Sequence, residues 1–98
     1  MIIEQESGRT WPDIWSALED DPVVAANLRL RSSLMASIRK VVLSWNVPQV
    51  HAAKQLEISQ PRLSALLRGH IDRFSVDALV NIAARAGISV EFELKLAA

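Results

Sequence analysis

Cysteine is absent from this chain of 98 residues, which excludes a disulfide framework and any thiol chemistry. Histidine is nearly absent: His51 and His70 stand far apart with no carboxylate pattern beside them, so a metal cluster and a general base both lack the residues they need. Glycine is limited to three residues, none of them in a phosphate-cradling loop. Ser64 has no neighbour in sequence that would activate it as a nucleophile. No apolar run approaches the ~18 residues of a membrane span, and residues 1–6 lack a basic region followed by an apolar stretch. The expectation is a cytoplasmic protein, not an enzyme, with no cofactor, no metal and no membrane partner.

Half of the chain is apolar, 50%, which suffices for one modest core in a single domain. The most ordered pattern lies at residues 49–68. Ala52, Ala53 and Leu56 fall one helical turn apart, Ile58 follows, and Leu63, Leu66 and Leu67 mark the inner face of a second short helix. Pro48 suits the first turn of the first helix, Ser59 caps the second, and Pro61 is tolerated within its first turn. Ala53 is small enough to let two helices cross steeply. Gly69 ends the second helix as a left-handed terminator, Ser75 opens a third with Asp77 in its first turn, and Gly87 ends that one. This is the outline of a helix-turn-helix.

The zero net charge conceals an uneven distribution. Residues 1–37 carry six carboxylates against Arg9, Arg29 and Arg31, a balance of −3. Residues 38–73 carry Arg39, Lys40, Lys54, Arg62, Arg68 and Arg73 against Glu57 and Asp72, a balance of +4, and the remainder carries −1. The positive segment coincides with the helical motif, so attraction for phosphate would be local.

The residues of this window resemble the Cro/C1-type (XRE) helix-turn-helix family, and within it the HigA-like antitoxins. The likeness is carried by Gln49 to Ala53, Ile58-Ser59-Gln60-Pro61-Arg62-Leu63-Ser64, Leu67-Arg68-Gly69, and Arg73-Phe74-Ser75-Val76-Asp77-Ala78-Leu79. It covers residues 34–88. Two positions depart from the family pattern: Glu57 stands where glycine is common, and Pro48 where threonine or serine is usual. The first would hold a side chain in a left-handed conformation at a cost of ~1 kcal/mol.

Elsewhere, residues 11–18 read as a short helix begun at Pro12, and Asp21 caps a longer one with Pro22 in its first turn. From Val24 through Leu28, Leu34, Met35, Ile38, Val41 and Val42 the apolar spacing is helical to about Ser44, with a break at residues 31–33 left open. Trp11, Trp15, Trp45 and Phe74 read as core or interface residues. After Gly87 the period becomes two: Ile88, Val90, Phe92, Leu94 and Leu96 alternate with Ser89, Glu91, Glu93, Lys95 and Ala97. A lone strand needs a partner; the same strand of a second copy would supply it, the alternatives being this domain's own core or another protein.

The expected fold is therefore mainly α, a small lambda-repressor-like helical bundle containing the helix-turn-helix, with one C-terminal β-strand pairing in a homodimer. Residues 1–33 form an N-terminal helical segment for packing or partner binding, 34–87 the DNA-binding domain, and 88–98 the strand. The start of the second helix would enter the major groove, exposing Ser59, Gln60, Pro61, Arg62, Ala65 and Arg68. Gln60 would pair with adenine, Ala65 would touch a thymine methyl, and Arg62 would meet guanine or phosphate. The resemblance implies Gln49 for a backbone phosphate, and Arg68, His70 and Arg73 would hold flanking ones.

Function follows as an expectation: a repressor of double-stranded operator DNA. The resemblance implies further an antitoxin that represses its own operon and neutralises a toxin protein, with the acidic, tryptophan-bearing residues 1–31 facing that partner. A stand-alone bacterial or phage regulator, or a protein-interaction module whose motif no longer touches DNA, are the other readings.

Overall fold

The computed structural model describes residues 21–96. Four α-helices and one 3-10 turn occur among them: α1 Pro22–Ser44, α2 Gln49–Leu56, α3 Gln60–Leu67, the turn Ile71–Arg73, and α4 Val76–Arg85. The helix expected at residues 11–18, with Trp11 and Trp15, lies outside the described residues.

Helix α1 begins where sequence chemistry places it. Asp21 Oδ1 accepts from the Val23 and Val24 amides at 2.9 and 3.4 Å, and Pro22 fills a position whose N–H would be an orphan. The helix then runs through residues 31–33 without a break, so one element crosses the division expected after residue 33. Ala25, Leu28, Leu34, Met35, Ile38 and Val42 form its buried stripe. It ends at Trp45, and Asn46 follows in the left-handed region at φ 54°, which asparagine tolerates better than most residues.

The ends of α2, α3 and α4 share one design. In each, a left-handed residue donates its amide to the carbonyl three back, and the next residue donates to the carbonyl five back: Ile58 to Ala53 at 3.0 Å, His70 to Ala65 at 3.0 Å, Ile88 to Ala83 at 2.9 Å. This is the Schellman ending, which satisfies orphan carbonyls. Gly69 at φ 78° and Gly87 at φ 84° adopt the left-handed state freely, whereas Glu57 adopts it at φ 61° with a side chain. At their starts, Ser59 Oγ accepts from the Arg62 amide at 3.2 Å and Ser75 Oγ from the Ala78 amide at 3.1 Å.

One core joins the helices. Ile38, Leu56, Leu63, Leu66, Phe74 and Leu79 are fully buried at its centre, and Trp45 packs on its edge, half buried. Helix α1 packs along α4 and against α3 and the 3-10 turn, while α2 crosses α3 with Ala52 and Ala53 buried in that junction. The 3-10 turn, which no sequence pattern announced, drives Ile71 into the core.

The expected C-terminal strand is not found in the described residues of the single chain. Residues 88–96 form no strand, and no strand occurs among the described residues. Phe92, Leu94 and Leu96 are 79, 86 and 99% exposed. Ile88 alone of the alternating set packs on the core. A period-two pattern specifies which residues would share a face, but a strand exists only where a second strand accepts its hydrogen bonds, and a single copy offers none.

Candidate nucleic-acid interface

Helix α3 presents its face by simple geometry. Successive residues turn by about 100°, and Leu63, Ala65 and Leu66 point inward. The opposite arc is formed by Gln60, Pro61, Ser64, Leu67 and Arg68, at spacings of one, three and four. Gln60, Pro61 and Arg68 are exposed; Ser64 and Leu67 are half buried. Ser59 stands exposed at the amino end, where the helix dipole leaves a positive field, and α3 contains no acidic residue. Gln49 is exposed at the corresponding end of α2.

Two expected contacts are corrected here. Ala65 is 2% exposed and belongs to the core, so its methyl cannot reach a base. Taking Leu67 as a full member of the inner face rotates the predicted outer face by one position; Leu67 is only half buried, and Ser64 takes the place assigned to Ala65. Arg62 is half buried and turned inward. Its guanidinium carbon lies 4.3 Å from the centroid of Phe74, and Nη1 donates to the Arg73 carbonyl at 3.3 Å. Phe74 is buried, a core residue as expected, and Arg62 covers it.

Other arginines are likewise committed to backbone carbonyls. Arg39 Nε donates to Leu67 O at 2.9 Å, and Arg31 Nη1 donates to Ile71 O at 3.1 Å and Phe74 O at 3.4 Å. Arg31 was counted by sequence with the acidic amino-terminal segment, yet it holds the turn that follows α3. Charge counting along a chain registers a cation's position but not the acceptor its side chain finds. Arg68 is exposed at the end of α3, Lys54 on α2 and Lys40 on α1; Arg73 is exposed as the last residue of the 3-10 turn, and His70 is half buried just before it.

The described residues contain no group of three metal-ligating side chains and no helix long and apolar enough to cross a membrane. What the α3 face offers is an amide, a hydroxyl pair and a guanidinium along a helix that contains no acidic residue. Such a set can hydrogen-bond base edges and phosphates.

A family model described as a helix-turn-helix domain matches residues 17–95. No curated protein matches the chain. The match spans α1 to α4 and both halves of the motif, well over half of the sequence, and the chain belongs to the helix-turn-helix domain family.

Proposed function

We propose that this protein is a sequence-specific DNA-binding repressor of the Cro/C1 type, cytoplasmic and dimeric. The observation that carries the reading is the α3 face: Gln60 is exposed and Ser64 half exposed, with Ser59 capping the amino end and Arg68 at the far end. Gln60 reads adenine through its amide, Ser64 adds a hydroxyl that bonds either donor or acceptor, and Pro61 makes apolar contact. Gln49, Arg68 and Arg73 meet the flanking phosphates.

Dimerisation places two such faces about one DNA turn, ~34 Å, apart on a palindromic operator. The exposed apolar residues Phe92, Leu94 and Leu96 support it, since an alternating face left in water is what a second copy's strand would cover. The antitoxin role rests on the resemblance of residues 49–79 alone. In that reading the protein represses its own operon and binds a toxin through acidic residues 1–31.

A second reading, a protein-interaction module, draws support from Arg39 and Arg62. Both are tied to carbonyls, which leaves their charge in place but engages donors of two of the six cations of residues 38–73 within the fold. One experiment separates the two. Binding is measured to DNA from upstream of the protein's own gene and to a scrambled duplex, at two salt concentrations. The repressor reading expects a preference of ~10³-fold or more and strong salt dependence. Equal, weak binding to both duplexes favours the module.

A further inference from the structure

Helix α3 has only eight residues and is fixed at its amino end by Ser59. Its carboxyl end is held from outside, by α1. Arg39 reaches past a groove of about 450 Å³ between residues 32–39 of α1 and 66–71, and donates Nε to the carbonyl of Leu67, the last residue of α3. Eight residues earlier on α1, Arg31 bonds both carbonyls that bracket the 3-10 turn. Two arginines of one helix therefore fix the segment immediately after the reading face.

We infer that Arg39 is a positioning residue for DNA reading, setting the tilt of α3 through Leu67 O; this rests on the DNA-binding reading above. The arm is long enough to matter. From Leu67 to Gln60 the helix spans roughly 10 Å, so a tilt of about 10° displaces the Gln60 end by nearly 2 Å, beyond the ~0.5 Å tolerance of a shaped site. The bond is also separable from stability. Arg39 is exposed and borders an open groove, so its removal leaves Leu67 O to water and opens no core cavity. A phosphate contact predicts something different, because phosphate contacts act on every sequence alike and set the salt slope.

The test uses the full chain and a duplex that the wild-type chain enriches from a random library, compared with a scrambled duplex. Arg39→Met is expected to lower the preference for the enriched duplex about tenfold, the scale of one lost base contact, with the slope of log K against log salt unchanged. Its thermal midpoint should stay within a few degrees of wild type. Lys40→Met removes a neighbouring exposed cation that makes no carbonyl bond and should leave the preference intact. Arg39→Lys, which keeps the charge but loses the Nε geometry, should show an intermediate preference, and serves if the Met variant fails to fold.

An unchanged preference in both Arg39 variants overturns the inference. A slope shallower by about 0.9 with preference retained makes Arg39 a phosphate contact, and an equal loss in Lys40→Met makes the effect one of charge. A wild-type chain that enriches no sequence overturns the DNA-binding reading itself, a failure distinct from these.

Discussion

The guanidinium of Arg62 lies 4.3 Å above the ring of Phe74, and its Nη1 bonds the carbonyl of Arg73 at 3.3 Å. An arginine at the start of the reading helix is thus used to seal the core from above. Cation–π contact at a partly exposed site contributes about 0.5–1 kcal/mol and a neutral-acceptor hydrogen bond a similar amount. Arg62→Ala is therefore expected to lower unfolding stability by about 1–2 kcal/mol in urea titration, while the salt slope of DNA binding stays constant. Arg68→Ala should do the reverse, leaving stability within ~0.5 kcal/mol and reducing the slope by about 0.9.

Ser64 and Ala65 are neighbours with opposite environments, half exposed and buried. Ser64→Ala is expected to weaken preference for the operator without unfolding the chain. Ala65→Leu overpacks the core and should cost about 1–3 kcal/mol in stability while the folded fraction still discriminates between duplexes. Gln60→Ala should relax discrimination at one A·T pair by about 1–3 kcal/mol. A competition assay against single-base variants of the operator resolves all three.

Glu57 combines a left-handed backbone with an ion pair, its Oε1 lying 3.5 Å from Arg85 Nε in an exposed setting. Relief of the backbone by Glu57→Gly is worth about 1 kcal/mol, and the lost exposed pair about 0.2–1 kcal/mol. The expected net effect is a small gain in stability, read as a higher urea midpoint. Arg85→Ala, which removes the pair alone, should lower the midpoint slightly. A destabilised Glu57→Gly would mean that the pair outweighs the strain.

Ser59 caps the amino end of α3 with its side chain. Its replacement by alanine should cost about 1 kcal/mol, and by glycine only a few tenths. Because the cap also sits at the end proposed to enter the groove, both variants should lose affinity, which anisotropy titration measures beside the stability.

The exposed apolar tail gives the proposed dimer a direct test. Phe92→Asp with Leu94→Asp should shift sedimentation from dimer to monomer. The thermal midpoint of the monomeric helical unit should move little, since neither side chain is buried within one copy.

Much of the motif was legible because it is written locally. Caps, terminators and apolar spacing act within a few residues, and Asp21, Ser59, Ser75, Gly69 and Gly87 each do what their chemistry dictates. The left-handed turn at Glu57 was legible against its residue type, from motif position alone. The C-terminal strand was not decided by its alternation, because its hydrogen bonds depend on a partner elsewhere.

Sequence by itself determined the helix-turn-helix pair, the start of the long first helix, the capped and glycine-terminated ends and the apolar inner faces, since these follow from period, capping and burial. Tertiary structure alone decided the register of the α3 face, which exposes Ser64 in place of Ala65, and the fate of the arginines. Arg31, Arg39 and Arg62 each bond a carbonyl between 11 and 43 positions away in the chain. No local pattern encodes such a pairing, because the acceptor comes within reach only when the helices pack.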